Sequence, residues 1–379
     1  MTVQSSVSKN EEDVEGISKG DALDKETQLA KFERIRSAIR LNDVLALKSA
    51  AAEPGGLVED TLRKESWPLI LKIDPDLVPE ASSQEEVEKH RYYQQVLMDV
   101  ARSIRRFPPS IASEKRMNLQ DKLVNVIMRV LVANPDLHYY QGYHDICVTV
   151  LLVVDGDEDL AFQIMNEISR TRLRVFMEET MKPTECQLNY IYAIFQAEDP
   201  KLRKFLERAE CRVIFCLSWC LTWFGHDLEN YSNLVRLYDL FLANDENQYL
   251  LPVYVAAAVV LSRSKSLQLQ ECSLPSVHSY LRDVLIDLDN HPSELEDCIF
   301  HAKKLHALYP VERLEQIEAE KRRQDEEYRR WRRSFLGMTL LRLKRVDWKS
   351  RGLAGAVLVL SVAIGYQMYR RSITSIAEA

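Results

Sequence analysis

Two short segments of the chain carry side chains whose types and spacing could do chemistry. Asp99 and Arg102 are three residues apart, so on a helix they share one face and the carboxylate can hold and orient the guanidinium. Gln141 stands between Tyr140 and Gly142, shortly after an Asn-Pro helix break, where a side chain can project from the edge of a loop. Taken separately, an Asp-Arg pair is usually a surface salt bridge and a Tyr-Gln-Gly run is usually a turn.

The common catalytic motifs are absent from the sequence. It contains no GxxxxGK[ST] phosphate loop, no GxGxxG, no GxSxG and no HExxH. His138, His144 and Asp145 lie close together, but without a further cluster of ligands they do not predict a metal site. Motifs alone therefore predict no catalytic centre that is complete within this chain.

Charge and composition narrow the class of protein. The net charge of -7 gives no domain-wide basic field, which disfavours nucleic acid as a partner. The 379 residues include only 11 glycines and 13 prolines, and long charged-apolar periodic runs favour an all-α protein over a sheet-rich one. The seven cysteines include no CxxC pair, which indicates buried reduced thiols in a cytosolic domain rather than disulfides or a zinc site.

The body of the chain, residues 27–310, has the pattern of successive helices with short breaks. In one of them apolar positions recur at helical spacing from a possible N-cap at Ser113 to the break at Asn134-Pro135. The positions that would form its buried stripe are Leu119, Leu123, Val126, Ile127, Val130 and Leu131. Residues 1–26 are acidic and lack an apolar run, which predicts a disordered N-terminus rather than a signal or transit peptide.

The composition changes after Pro310. Residues 311–333 are dominated by Glu, Lys, Arg and Gln, which is typical of an exposed helix or a semi-rigid linker. The stretch 329–351 carries nine Lys or Arg residues and one acid, interleaved with aromatic and aliphatic residues. We therefore interpret 311–351 as a charged helical linker that ends in a basic juxtamembrane segment on anionic headgroups, with a solvated basic helix as the open alternative.

The strongest physical signal is an uncharged run of 18 residues, 352–369, bounded by arginines. At about 1.5 Å per residue it spans roughly 27 Å, enough for a thin bilayer, and a buried core helix is the alternative interpretation. Because only ten residues follow it, we expect a single-pass tail anchor, with the upstream domain in the cytosol and 370–379 in the lumen. The short span favours the endoplasmic reticulum membrane, and a mitochondrial outer membrane or Golgi location stays open because both flanks are basic.

Together and in this order, the two segments described first resemble the signatures of the TBC-domain Rab GTPase-activating proteins, IxxDxxR and YxQ. The first signature is matched by Val96, Asp99 and Arg102, with valine in place of isoleucine. The second is matched by Tyr139 and Gln141. Two signatures in the family's order are more specific than either alone.

Three further segments follow the same family pattern. Residues 63–70 resemble its entry motif RxxxWPxL, 215–224 resemble its FxxxWxLTxF helix, and 236–241 resemble RxWDxF with tyrosine for tryptophan. The resemblance covers about residues 57–310 and implies an all-α, two-lobed helical TBC domain over 27–310, followed by a single transmembrane helix. The residues that we interpret as holding this fold are Arg63, Trp67, Trp219, Arg236 and Asp239.

The resemblance also implies a function, which is to accelerate GTP hydrolysis by a Rab GTPase in its GTP-bound state and so to control vesicle traffic. Arg102 would be an arginine finger positioned by Asp99, and Gln141 would orient the attacking water. Gly142 would allow close backbone approach, and Tyr140 would pack beneath the loop. GTP and Mg²⁺ would be carried by the partner GTPase, and the chain would need no cofactor of its own.

Within the family, three features resemble the tail-anchored endoplasmic reticulum member that acts on Rabs of early secretory traffic. They are the Arg-Arg-Phe-Pro-Pro run after the arginine motif, the run 138–145 and the C-terminal uncharged span. Which Rab is preferred is not readable from the sequence, because selectivity lies in surface complementarity spread over many residues.

Two alternatives stay open. Many family members have Thr-Phe-Pro directly after the finger, and counting back from Phe107 points to Arg105 instead of Arg102. We favour Arg102 because the spacing from Asp99 carries the mechanism. The second alternative is a non-catalytic tail-anchored scaffold that binds a Rab without hydrolysis, and the presence of both Arg102 and Gln141 argues against it.

Overall fold

The computed structural model describes residues 25–74, 83–102, 113–244 and 250–344. Within these ranges the chain consists of helices and connecting turns and contains no strand, which confirms the predicted all-α class. One compact unit extends to Leu314 and a second begins at Glu315. Because the residues up to Leu314 form one unit, the division of the domain into two lobes stays a prediction.

Several of the helices have a proline in the first turn, where its missing N–H costs no helical hydrogen bond. A short 3-10 helix, Arg174–Met177, follows the eighth α-helix. In chain order the α-helices of the described residues are α1 (Lys25–Arg40), α2 (Val44–Ala52), α3 (Asp60–Ile70), α4 (Gln84–Lys89), α5 (Tyr93–Arg102), α6 (Ser113–Ala133), α7 (Tyr143–Val153), α8 (Glu158–Thr171), α9 (Lys182–Leu188), α10 (Tyr190–Glu198), α11 (Pro200–Arg208), α12 (Ile214–Leu221), α13 (Tyr231–Ala243), α14 (Leu251–Ser262), α15 (Ser264–Leu267), α16 (Leu274–Asn290), α17 (Pro292–Leu308) and α18 (Val311–Lys344).

Two helices are buried on nearly every side and form the centre of the packing. All residues of α14 from Leu251 to Val260 are buried, and α14 packs against α10, α12, α16 and α17. Helix α7 is buried at ten of its positions and packs against α3, α5, α6 and α8. A helix that is apolar all round belongs in a core. The N-terminus of α7 is therefore held in place by the core, and the loop that carries Gln141 is connected directly to it.

The predicted stripe on α6 is confirmed, since all six positions from Leu119 to Leu131 are buried. The helix ends at Ala133, one residue before the predicted Asn-Pro break, and it begins at Ser113 itself. The seven cysteines are free thiols, and five of them are buried as predicted. Cys186 and Cys272 are exposed.

One polar cluster in the interior of the fold centres on Asp239, whose side chain is fully buried. Its carboxylate accepts hydrogen bonds from Arg63 Nε at 3.0 Å, from Trp67 Nε1 at 2.9 Å and from the Leu57 backbone N–H at 2.8 Å. Burial lowers the pKa of Arg63, but the charge and hydrogen bonds of Asp239 outweigh it, and the net shift is upward. These contacts join α3 to α13, which confirms the predicted structural role of all three side chains.

The other two predicted structural residues are also in the interior. Arg236 Nη2 donates to Glu296 Oε2 at 3.0 Å, and its Nη1 donates to the Ala51 carbonyl at 3.1 Å. Trp219 is buried and stacks on Phe224, with 6.0 Å between ring centroids. Both side chains hold elements together rather than face the surface.

The segment after Pro310 forms a helix, α18, which was one of the two alternatives expected for it beside a semi-rigid linker. Leu314, in the first turns of α18, is fully buried. The compact unit thus ends four residues beyond the expected boundary at 310. In the part of the chain that the structure describes, no helix is both long and apolar enough to cross a membrane. The predicted span 352–369, the tail 370–379 and nearly all of the acidic N-terminus lie outside the described residues.

Candidate functional site

Asp99 and Arg102 lie on the last turn of α5, as their spacing predicts. Helix α5 is amphipathic, and it buries Val96, Asp99 and Val100 on its inner face. Arg102 Nη1 is 3.5 Å from Asp99 Oδ1, and the two side chains are 68% and 7% exposed. A buried carboxylate therefore holds one side of a guanidinium that otherwise projects from the surface. Arg105 lies outside the described residues, so the choice between the two arginines stays a prediction.

The loop between α6 and α7 alternates between anchored and exposed residues. Tyr139 and Tyr140 are buried, whereas Gln141 between Tyr140 and Gly142 is exposed. The backbone N–H of His138 donates to the Met177 carbonyl at 2.8 Å, which fixes the start of the loop. The Tyr140 hydroxyl donates to the Leu221 carbonyl at 2.8 Å, which ties the buried side of the loop to the end of α12.

One buried hydrogen bond joins the two predicted segments. The Tyr139 hydroxyl donates to Asp99 Oδ2 at 3.1 Å, across 40 residues of sequence. Burial raises the pKa of Tyr139, and the neighbouring Asp99 carboxylate raises it further, so the phenol stays protonated and able to donate. The carboxylate that pairs with Arg102 is thus also the anchor of the loop that presents Gln141.

Gly142 is required by the geometry of the loop. Its φ is +107°, and a Cβ placed there would lie 2.8 Å from Thr222 Cγ2. A side chain would therefore be strained in its backbone and would clash. The residue that approaches Gly142 within this chain is Thr222, and the role predicted for Gly142 at the site stays a prediction.

The turn that contacts Gly142 was not predicted. The motif pattern predicts one helix over 215–224, but α12 ends at Leu221. Trp223 and Phe224 have φ values of 50° and 66°, and this left-handed backbone turns both rings into the core. Bulky residues rarely adopt such a conformation, and it is often found beside functional sites. The motif pattern offers no signal for it, because its apolar spacing also suits a longer helix.

Two histidines, one of them on this turn, flank a buried aspartate in the first turn of α7. Asp145 is 2% exposed. Its Oδ1 is 3.5 Å from His144 Nε2, and its Oδ2 is 3.5 Å from His226 Nδ1. The Tyr139 hydroxyl lies 3.4 Å from His144 Nδ1, so these polar side chains are neighbours of the Asp99 carboxylate.

His138, which is near His144 in sequence, contacts Tyr92 rather than Asp145. Its Nδ1 lies 2.9 Å from the Tyr92 hydroxyl. Within the described ranges no group of three or more His, Cys, Asp or Glu side chains is arranged to hold a metal ion. That the chain carries no cofactor of its own stays a prediction.

The chain matches the Rab-GTPase-TBC domain family over residues 60–268, and it belongs to that family. It is 42% identical over 272 residues to the human protein TBC1 domain family member 20, a match that covers 72% of this chain and 65% of the relative. The bovine protein of the same name is 40% identical over 301 residues, which is 79% of this chain and 72% of the relative. GTPase-activating protein gyp10 of Schizosaccharomyces pombe is 33% identical over 266 residues, 68% of each chain. The chain thus spans slightly less than two thirds of the human relative's length.

Two solved structures share the fold at low sequence identity. The Ypt/Rab-GAP domain of Gyp1p superimposes with a TM-score of 0.59 at 12% identity, covering 74% of this chain and 99% of that domain. The TBC domain of a Chlamydomonas flagellar RabGAP gives a TM-score of 0.52 at 14% identity, covering 76% and 98%. The predicted helical TBC fold is therefore confirmed.

Proposed function

We propose that this protein accelerates GTP hydrolysis by a Rab GTPase, by supplying Arg102 and Gln141 to the nucleotide that its partner carries. The observation that supports this most directly is the 3.1 Å hydrogen bond between Tyr139 and Asp99. It ties the helix that bears Arg102 to the loop that bears Gln141, and both side chains are exposed to a partner. Two groups that act on one external phosphate need such a shared support.

Arg102 supplies positive charge in this proposal. In the transition state the transferred phosphoryl group spreads negative charge over its oxygens, and a guanidinium from outside accelerates the reaction by about 10³ to 10⁵, or about 4 to 7 kcal/mol. Asp99 lies 3.5 Å from Nη1 of the guanidinium and restricts the conformations of the Arg102 side chain. Because a guanidinium is a planar fork, its remaining N–H groups can bind phosphate oxygens at the same time.

Gln141 orients the water that attacks the phosphoryl group. Its amide offers both donors and an acceptor, which suits a water molecule that must point its lone pair at phosphorus. The support beneath it is rigid, because Tyr140 is bonded to the Leu221 carbonyl and Gly142 lies against Thr222. The chain itself turns over no small molecule, and GTP and Mg²⁺ enter with the GTPase.

The function is tested with the full chain in detergent and a panel of purified GTP-loaded Rab proteins, by following phosphate release. We expect hydrolysis by at least one Rab to be stimulated, and the double variant Arg102→Ala/Gln141→Ala to lose about a hundredfold or more of that stimulation. The control is Arg282→Ala, an arginine on α16 whose side chain is 65% exposed. Stimulation of no Rab, or full stimulation by the double variant, would contradict the proposal. Rab binding without hydrolysis would favour the scaffold alternative.

We further propose that the uncharged run 352–369 attaches the protein to the endoplasmic reticulum membrane, with the TBC domain in the cytosol. Confinement of the protein and a lipidated Rab to one membrane raises their encounter rate without new contacts. Deletion of 352–379 should release the protein to the cytosol. Retention on membranes would instead point to the basic segment 329–351, and imaging would separate the endoplasmic reticulum from the Golgi and the mitochondrial outer membrane.

A further inference from the structure

An exposed histidine stands beside the glutamine loop and has no role in the function proposed above. His226 lies on the turn that follows α12, and its side chain is 57% exposed. Its backbone N–H donates to Thr222 Oγ1 at 3.0 Å, so its position is tied to the residue that touches Gly142. Gly142 is the direct neighbour of Gln141. The backbone of His226 is therefore held close to the loop that carries Gln141.

The turn that carries His226 is anchored to the glutamine loop at more than one point. The Tyr140 hydroxyl holds the Leu221 carbonyl at its start, and Thr222 lies against Gly142. Further along, His226 Nδ1 is 3.5 Å from Asp145 Oδ2, in the first turn of α7. The turn thus has two contacts with the loop and one with the first turn of α7. Together they leave the turn little freedom to move.

Asp145 is suited to orient the imidazole of His226. Its carboxylate is almost fully buried, and it lies in the first turn of α7, where the N-terminal end of a helix favours negative charge. Asp145 Oδ2 lies 3.5 Å from Nδ1 of His226, an ion-pair distance at which the negative charge attracts an N–H on that nitrogen. The ring edge with Nε2 is then on the side away from the carboxylate. A carboxylate behind one ring nitrogen is a common way to fix the direction of the other.

We propose that His226 is a third side chain of the surface that contacts the GTPase, and that Asp145 is the positioning residue that orients it. This rests on the proposed function. Arg102 already supplies charge and Gln141 the amide, so His226 adds a hydrogen bond to a polar group of the GTPase beside the nucleotide. Its contribution is to binding of the partner rather than to the chemical step.

The first test separates KM from kcat, with the full chain and the Rab that it stimulates most strongly, loaded with GTP. A lost hydrogen bond to the partner raises KM by roughly three- to tenfold in His226→Ala, with kcat within about twofold of wild type. Asp145→Asn raises KM by about threefold, since the ring is kept but less well oriented. The matched control is His278→Ala, an exposed histidine on α16, which leaves both constants unchanged.

The second test needs no variant and so does not depend on folding of a mutant. The full chain is treated with diethyl pyrocarbonate, with and without the same Rab loaded with GDP and aluminium fluoride, and modified histidines are quantified by mass spectrometry. A contact with the partner slows modification of His226 by about fivefold or more and leaves His278 unaffected. Equal rates at His226 with and without the Rab overturn the proposal, as does an unchanged KM in His226→Ala.

A loss of kcat at unchanged KM in His226→Ala also overturns it, because the histidine then acts on the chemical step. Failure of the proposed function gives a different result. In that case the unmodified chain stimulates no Rab, whereas failure of this inference alone leaves stimulation that is sensitive to Arg102 but indifferent to His226.

Discussion

Asp239 and Asp99 are both buried carboxylates that face an arginine, and the two regions around them do different work. Arg63, the partner of Asp239, is 6% exposed, and its nitrogens bond Asp239 in the interior. Arg102, the partner of Asp99, is 68% exposed. When both ions are buried, as with Arg63 and Asp239, no partner can reach the pair and it can only support the fold. When the carboxylate is buried and the guanidinium is not, the same chemistry presents a held cation to a partner.

The difference follows from where each arginine stands on its helix. Arg63 lies on the inner face of α3, with Trp67 one turn further along, and both reach Asp239 on α13. Arg102 is the last residue of α5, and its side chain is not among the buried residues of that helix. A buried ion pair is costly to break because one charge is left without a partner, whereas an exposed pair contributes little to stability.

The largest expected effect is on stability, from Asp239→Asn. The change leaves the Arg63 guanidinium buried beside a neutral amide, and we expect the free energy of unfolding to fall by about 3 to 5 kcal/mol. Urea denaturation followed by circular dichroism measures it. The control is Asp283→Asn on α16, whose side chain is 66% exposed and which should change stability by less than about 0.5 kcal/mol. Equal effects of the two changes would show that Asp239 does not hold the fold.

The matching change at the other carboxylate, Asp99→Asn, should act on function instead. The amide can still accept from the Tyr139 hydroxyl, but it no longer attracts Arg102, so the guanidinium is less well positioned. We expect the maximal stimulated rate of GTP hydrolysis to fall by about ten- to a hundredfold. Unfolding free energy should fall by only about 1 kcal/mol, because the Arg102 side of the pair is exposed.

The comparison would be broken if Asp99→Asn behaved like Asp239→Asn. A large loss of stability with an unchanged maximal rate in the folded protein would place Asp99 among the residues that only support the fold.

A smaller effect is expected from Gly142→Ala. Its φ of +107° and the approach of Thr222 Cγ2 strain any side chain, and the cost should be about 1 to 2 kcal/mol of stability. The displaced loop should also lower the maximal stimulated rate. Gly156→Ala is a matched control in a different turn of the chain. Gly156 has a φ of +74°, and an added Cβ there would lie 3.2 Å from Leu119 Cδ2. Gly156→Ala should lose a similar amount of stability and keep the maximal stimulated rate. Equal losses of that rate in Gly142→Ala and Gly156→Ala would contradict the account of the loop.

Local patterns in the sequence were enough to predict much of the fold. Helical periodicity predicted α6 and its buried stripe, and the three-residue spacing predicted that Arg102 and Asp99 share a face of a helix. The exposure of Gln141 followed from its place after a helix break. Each of these features depends on residues a few positions apart, where spacing determines geometry.

The connections between distant segments could not be predicted in the same way. The bond between Tyr139 and Asp99 spans 40 residues, and that between Tyr140 and Leu221 spans 81. Such contacts depend on how α5, α7 and α12 pack, which no local spacing specifies. His226 was missed for the same reason, because it meets Asp145 only through the unexpected left-handed turn at Trp223 and Phe224.

The central claim is that one exposed arginine and one exposed glutamine act together on a partner's nucleotide. Single-turnover GTP hydrolysis by a stimulated Rab, at saturating concentrations of the full chain, tests it most directly with Arg102→Ala, Arg102→Lys and Gln141→Ala. We predict a loss of at least about a hundredfold for Arg102→Ala, only partial recovery with lysine, and a large loss for Gln141→Ala, all without a shift in the thermal unfolding midpoint. A full rate with Arg102→Ala, or a loss that appears only in Arg105→Ala, would contradict the assignment of Arg102.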